Sequence, residues 1–518
     1  MNKQVLLIGG GAIALALVAS QVVGQPAATP ATPPPAAGRG GPPPAPPLTQ
    51  GGPVIKLKQG QVQGGQANGV NVYRGIPFAA APVGDLRWKA PAPAAKWSGI
   101  KAATTMPSAC TASEDCLYVN VFTPPDAKAG AKLPVMVWIY GGAFTGGSNA
   151  LYDGTNFAKQ GIVYVALNYR LGRAGWFAHP ALTKEAGKGP NANYGLMDQI
   201  AALKWVQQNI AAFGGDPKNV TIFGESAGAI SVNYLMLAPE AKGLFQKAIA
   251  ESGFGRLAAK PLSGAGSAEE TGSNWAKSIG ITGDDAAAAK AMRALTFEDL
   301  RKGPLPLGSV GPIADGHLIT GTSLQEFTQG KEAKIPYILG GNSDEASLTR
   351  STTNVQARLT QAANDNAFAA AFGPVAGDQG PRAVARVVTD ELISEPDRAL
   401  ARIHSKVAPT WVYHFSYTPM ASRATVFGLP HGGEIGYVFN NPRGGAFDAQ
   451  GATIAQAANA YWVAFAKTGN PDSAGGPAWP KWDNTTESLM EFGPEGSPHV
   501  DTHFHKARLD WVEAHAAK

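Results

Sequence analysis

Ser226 stands in Gly224-Glu225-Ser226-Ala227-Gly228, directly after the run Val220-Thr-Ile-Phe223. A serine hydroxyl at such a place can act as a nucleophile if the chain turns sharply from strand to helix around it. The two glycines suit that corner, because they put no side chain where strand and helix crowd together. Val220, Ile222 and Phe223 predict a buried strand, and the small apolar residues of 227–237 predict a helix packed on a sheet. A glycine-rich turn with an ordinary serine explains the same pentapeptide. The remaining residues of a catalytic set have to decide between the two readings.

A serine needs a base, and the base needs an acid to orient it. On a strand-turn-helix scaffold the chain order is serine, acid, histidine, each on a loop after a strand. Downstream of Ser226 the candidate acids are Asp344 and Glu345, in Gly340-Gly-Asn-Ser-Asp-Glu345, after an apolar run ending at Leu339. A solvated acidic turn is the ordinary alternative. Among nine histidines, His414 lies within an alternating strand and reads as packed, and His317 reads as a turn residue. His499, His503 and His505 fall in a polar C-terminal stretch and read as solvent-facing. His431 differs: it lies in Gly428-Leu-Pro-His-Gly-Gly-Glu434, beyond the strand at 411–417, where a base is required. Acyl transfer also needs backbone N–H groups aimed at a developing oxyanion. One follows the nucleophile, at Ala227; others belong to the loop after an earlier strand, here Tyr140-Gly-Gly-Ala-Phe144. The glycines there also fit a plain tight turn. With all three features in order on the expected loops, the reading as a serine hydrolase prevails.

These residues need a scaffold. Apolar runs at 133–140, 162–168, 220–223, 248–250, 335–339 and 411–417 suit central strands of a parallel sheet buried on both faces. Leu196, Ile200, Leu203, Val206 and Ile210 recur at helical spacing, and Gly214-Gly215 ends that helix. Strands alternating with helices predict an α/β fold, a mostly parallel sheet with helices on both faces. Residues 54–73 alternate like short strands, while 286–300 and 364–400 predict helical insertions over the sheet.

Composition narrows the class. The chain has 518 residues, 44% hydrophobic and 16% charged, with a net charge of +5, which suits a large globular protein. No dense run of Lys and Arg points to nucleic acid. Residues 1–24 carry Lys3 and then an apolar stretch at 5–19, the pattern of a signal peptide and short for a membrane span. An uncleaved anchor is the alternative; after processing no stable membrane span is expected, and the protein is expected to be exported. Residues 25–53 are rich in Pro, Ala, Gly and Thr and predict an extended linker that contributes no packing. The catalytic domain is then 54–518. The two cysteines, Cys110 and Cys116, fit either one local disulfide or two free thiols, and two ligands are too few for a metal site.

Beyond these features the chain resembles the type-B carboxylesterases, the group that includes the cholinesterases, over nearly all of residues 54–518. The resemblance is carried by Arg74-Gly-Ile-Pro-Phe-Ala, Pro82-Val-Gly-Asp-Leu-Arg-Trp88, Glu114-Asp-Cys-Leu-Tyr-Val-Asn120, Phe213-Gly-Gly-Asp-Pro with the run through Gly228, Asn342-Ser-Asp-Glu345, His431-Gly-Gly-Glu434 and Trp479-Pro480. It implies an α/β-hydrolase fold, Ser226 as nucleophile, His431 as base and Glu345 rather than Asp344 as acid. It also implies oxyanion donors at Gly142, Ala143 and Ala227, a Cys110–Cys116 disulfide, a small-molecule ester substrate, and no cofactor or metal. Two positions depart from the family, which usually has glycine where Ala143 and Ala346 stand. Ala143 keeps its N–H, and Gly141 and Gly142 are expected to absorb any unusual backbone angles in that loop. An amidase or carbamate hydrolase on the same machinery is the alternative chemistry. A non-catalytic recognition domain is disfavoured, because such a protein has no reason to keep all three triad members.

Overall fold

The computed structural model describes residues 46–516 apart from 50, 306–307, 351–352, 363–364, 374–378 and 444. The expectations for residues 1–24, and for most of 25–53, fall outside the described residues.

The apolar runs become strands of one eleven-stranded sheet. In chain order they are β1 (Gly65–Ala67), β2 (Val70–Pro77), β3 (Tyr118–Thr123), β4 (Leu133–Ile139), β5 (Val163–Leu167), β6 (Gly215–Glu225), β7 (Lys247–Glu251), β8 (Tyr337–Asn342), β9 (Thr410–Phe415), β10 (Leu489–Phe492) and β11 (Pro498–Asp501). Across the sheet they lie in the order β11-β10-β9-β8-β7-β6-β4-β5-β3-β2-β1. Pairing is parallel from β10 through to β5. It is antiparallel at both margins. Every residue of β5 and β7 is buried, which is why β5 and the 248–250 stretch of β7 read as continuous apolar runs and not as alternating ones.

Three helices bear on the site: α1 (Tyr194–Asn209), α2 (Ala227–Leu237) and α3 (Ala449–Thr468). The helical period expected from Leu196 to Ile210 is realised in α1, which runs through a short turn to Gly214 at φ 90°, a left-handed stop that glycine adopts freely. Side chains alternate along β6 and so choose a helix layer. A Cβ on Gly224 would meet backbone atoms of Gly228 in α2, and α2 is tied to α1 by Gln199 Nε2 donating to Ser231 Oγ at 3.0 Å. Glu225 points the other way, to the face where Trp462 of α3 lies against Glu251 of β7. The two layers thus cover opposite faces.

The insertions are helical but more broken than the expectation. Residues 286–300 form Ala286–Arg293 and Phe297–Arg301, because Thr296 starts the second helix with a reciprocal cap to Asp299. Residues 364–400 contain Asn366–Phe372, Gln379–Thr389 and Glu395–His404, the last two joined by a wide turn at Asp390–Ser394.

The end of the Pro-rich segment does pack, contrary to the expectation for 25–53. Thr49 and Gln66 exchange backbone hydrogen bonds beside β1, and Arg74 Nη2 donates to the Pro46 carbonyl at 2.8 Å. The edge of an antiparallel margin offers unpaired N–H and C=O groups, and this stretch takes them up. Cys110 and Cys116 form a disulfide, with Cα atoms 5.2 Å apart.

Candidate active site

The candidate side chains stand on loops at the carboxyl ends of the parallel strands, where α/β sheets open a crevice. Ser226 follows β6 directly and has φ 58° and ψ −122°, an angle pair that ordinary residues avoid. The corner is held by contact rather than by propensity. A Cβ on Gly228 would lie 1.9 Å from the Ile139 carbonyl oxygen, and one on Gly224 2.5 Å from the same atom. The Ser226 N–H donates to the Glu251 carbonyl at 2.8 Å, which fixes the turn to the end of β7.

His431 comes from the loop after β9 and Glu345 from the turn after β8. The two loops are laced together. Asp344 N–H donates to the Leu429 carbonyl at 2.9 Å, Leu429 N–H to Ser343 Oγ at 2.8 Å, and His431 N–H to Ser347 Oγ at 2.9 Å. The lacing puts His431 Nδ1 2.5 Å from Glu345 Oε2 and His431 Nε2 2.8 Å from Ser226 Oγ. With Nδ1–H donating to the carboxylate, Nε2 is left as the acceptor that faces the serine hydroxyl. Glu345 is fully buried, and its other oxygen accepts from Ser252 Oγ at 2.6 Å and from the Asn342 N–H at 2.7 Å. Asp344, its neighbour, pairs instead with Arg350 at 2.6 Å.

A second carboxylate lies beside the imidazole. Glu225 Oε1 is 3.2 Å from His431 Nε2. Burial works against the imidazolium, but Glu225, Glu345 and Glu434 outweigh it and raise the affinity of His431 for a proton. Burial also pushes the Glu225 acid up, an effect that His431 opposes.

The loop Gly141–Phe144 packs onto the serine. A Cβ on Gly141 would lie 2.5 Å from the Glu225 carbonyl oxygen and 2.9 Å from Ser226 Cβ, so only glycine fits. The expectation that Gly141 and Gly142 would spare Ala143 an unusual angle is corrected. Gly142 has φ 115°, Ala143 54° and Phe144 58°. Three successive residues take positive φ, because Gly146 N–H and Thr145 N–H fold back onto the Gly142 carbonyl and force a tight loop. Among the described residues, the N–H groups of Gly142, Ala143 and Ala227 donate to no other protein group.

The sequence-predicted residues Ser226, His431, Glu345, Gly142, Ala143 and Ala227 therefore come together, while Asp344 turns away. His414 is buried as expected. Glu225, Ser252, Asn342, Ser347 and Phe254, whose ring packs edge-on to His431 at 5.8 Å, were not singled out by the sequence reading. Glu225 lies inside the G-x-S-x-G match itself, and its identity was the available signal. No group of three His, Cys, Asp or Glu side chains is placed to hold a metal among the described residues.

A mostly parallel sheet with helices on both faces, a serine at a strained strand-to-helix corner and a His–carboxylate pair beside it define an α/β-hydrolase. The chain belongs to the carboxylesterase family, whose model matches residues 51–379 and 375–512. Fumonisin B1 esterase of Sphingopyxis macrogoltabida is 36% identical over 484 residues, covering 85% of this chain and 86% of the relative. Para-nitrobenzyl esterase of Bacillus subtilis (strain 168) is 35% identical over 477 residues, covering 84% and 94%. A solved structure of PNB esterase superposes with a TM-score of 0.75 at 32% identity, over 88% of this chain and 99% of that one. The protein is an ester-hydrolysing serine hydrolase, a carboxylesterase acting on small-molecule esters.

Proposed function

We propose that Ser226, His431 and Glu345 are the catalytic triad and that the N–H groups of Gly142, Ala143 and Ala227 form the oxyanion hole. The observation that carries this is the continuous chain of short contacts from Glu345 through His431 to Ser226 Oγ. As Oγ bonds to the ester carbonyl carbon, His431 Nε2 takes its proton and the carbonyl electrons move onto oxygen. The three N–H groups hold that oxyanion, each worth roughly 3 kcal/mol in the transition state. Collapse expels the alcohol oxygen, which receives the proton from Nε2 and leaves an acyl-serine. Water then gives a proton to Nε2 while its oxygen attacks the acyl carbon. The second collapse returns the proton to Oγ and frees the carboxylic acid. Glu345 keeps the imidazole in the tautomer that accepts at Nε2.

Stopped-flow hydrolysis of 4-nitrophenyl acetate tests the reading. Ser226→Ala and His431→Ala are each expected to lose several orders of magnitude in turnover, because the triad acts as a unit. Turnover retained in either variant contradicts it.

The same proposal extends to the rest of the chain. Residues 1–24 direct export and are removed, residues 25–53 connect, and 54–518 carry the catalytic domain. The support is the apolar stretch at 5–19. No helix among the described residues is long and apolar enough to cross a membrane. N-terminal sequencing of protein from its native host is expected to find a start near Gln21 or Gln25; an intact Met1 in the membrane fraction would argue for an anchor.

A further inference from the structure

Three carboxyl side chains meet on the sheet face covered by α3. Glu225 ends β6, Glu251 ends β7, and Glu434 immediately precedes the short helix Ile435–Val438. Glu225 and Glu251 are register partners on parallel strands, so both project from the same face. Glu251 and Glu434 are 0% exposed. Each has one oxygen engaged: Trp462 Nε1 of α3 donates to Glu251 Oε1 at 2.8 Å, and Asn342 Nδ2 donates to Glu434 Oε2. The other oxygens, Glu251 Oε2 and Glu434 Oε1, have no hydrogen-bond partner among the described residues although both are shut away from solvent.

Three ionised carboxylates cannot share such a site, since a buried charge without a partner is strongly disfavoured. The charged and titratable groups around them are unequal. His431 faces Glu225 at 3.2 Å and stabilises its charge. Glu345 adds a further negative charge from the turn after β8. Tyr413 of β9 lies close to both Glu251 and Glu434, and Tyr152, with Arg443 over its ring at 5.6 Å, lies on the Glu225 and Glu251 side. None of these gives Glu251 a cation of its own. Burial, with Glu434 and Glu225 adding to it, raises the Glu251 acid far above the ordinary carboxylate range; burial with Glu225 and Glu345 also raises Glu434, but there the Asn342 hydrogen bond and His431 oppose the rise.

We propose that Glu251 is a positioning residue for ester hydrolysis: as a neutral carboxylic acid it donates from Oε2 to Glu434 Oε1, and so keeps Glu434 ionised alongside Glu225, both acting on His431. The Trp462 N–H fixes which oxygen carries the proton. It binds Oε1 as the carbonyl acceptor, which leaves Oε2 as the hydroxyl. The inference rests on the triad reading, because the group that feels Glu225 is the imidazole that must be free base to accept the serine proton.

The test is the pH profile of kcat/KM for 4-nitrophenyl acetate, with infrared spectra of the same proteins. Glu251→Gln is neutral, keeps a carbonyl for Trp462 and keeps a donor for Glu434, so the midpoint of the acid limb is expected to stay in place. Glu251→Leu removes the donor. Glu434 then takes up a proton of its own, the field on His431 weakens, and the limb is expected to move at least about half a pH unit lower. In the infrared, the difference spectrum between the unaltered enzyme and the Gln variant is expected to show the loss of one protonated-carboxyl component. A downward shift in the Gln variant would mean that Glu251 acts as a charge and would overturn the proposal. So would a Leu variant with an unmoved limb, or a difference spectrum in which no protonated-carboxyl component is lost. Should the Leu variant fail to accumulate, the Gln limb and the difference spectrum decide alone. Failure of the triad reading is distinguishable, because it shows as turnover in Ser226→Ala whatever happens at Glu251.

Discussion

At Ser226 and Ala143, both members of the proposed catalytic site, the backbone holds ordinary residues at φ 58° and 54°. Such angles cost of order 1–3 kcal/mol each and persist only because the surroundings over-determine them. At Ser226 the surroundings are the Ile139 carbonyl and the Glu251 carbonyl. For Ala143 the consequence is testable. Ala143→Gly removes strain of about 1–2 kcal/mol but frees the unfolded chain by about 0.4–1 kcal/mol. Melting is therefore expected to shift only slightly upward, and turnover of small esters to stay within about tenfold. Ala143→Pro deletes the N–H and is expected to lose about a hundredfold or more in kcat. Equal activity in the two variants would remove position 143 from the oxyanion hole. The acid is tested the same way. Glu345→Gln is expected to be severe, and Asp344→Asn, which loses only a contact to Arg350, mild. The pH dependence follows from Glu225. Its charge favours the imidazolium, so it raises the pH at which His431 becomes the free base that the reaction needs. Glu225→Gln is expected to shift the acid limb of kcat/KM at least about one unit lower; a limb that moves up, or not at all, contradicts this.

At the scale of elements, β6, α2 and the end of β4 form one unit whose spacing is set by glycine. A Cβ at position 228 would lie 1.9 Å from the Ile139 carbonyl oxygen, and neither a strand nor a helix backbone can give way by that much. Gly228→Ala is expected to destabilise the protein by about 3 kcal/mol or more, read as a lowered midpoint in urea unfolding. The sequence disclosed this unit because its signals are local. The glycines flank the serine, the strand is a short β-branched and aromatic run, and the helix begins at once. Glu345 and His431, which the structure brings together beside the serine, were legible as candidates for the same reason, as single residues on loops after recognisable strands. The angle at Ala143 was not, because it depends on how tightly residues 145–146 fold back on Gly142, which no local propensity encodes. Ser252 and Glu251 were not legible either. They end a strand that reads as ordinary core, and only the register of β7 beside β6 and β8 brings them to Glu345 and Glu225.

For the whole molecule, the margin of the sheet matters because the chain before it is not a passive tether. Thr49 and Pro46 take up hydrogen-bonding groups at β1 and β2. A protein lacking residues 1–45 is expected to match the melting temperature of the longer form, whereas one lacking 1–53 is expected to melt lower with the site still competent. Equal melting of the two would make those contacts energetically idle. The disulfide closes a short loop, with the cysteines six residues apart, and restricts the unfolded chain by only about 2 kcal/mol. Fold and chemistry thus rest mainly on the buried sheet and its glycine corners.

The most direct measurement of the central claim is covalent labelling. A fluorophosphonate reacts only with an activated serine, so stoichiometric labelling followed by peptide mass spectrometry reports which hydroxyl the His431–Glu345 pair activates. The account predicts a single adduct on Ser226, absent from Ser226→Ala and strongly slowed in His431→Ala. An adduct on another residue, or full labelling of the Ser226→Ala protein, would contradict it.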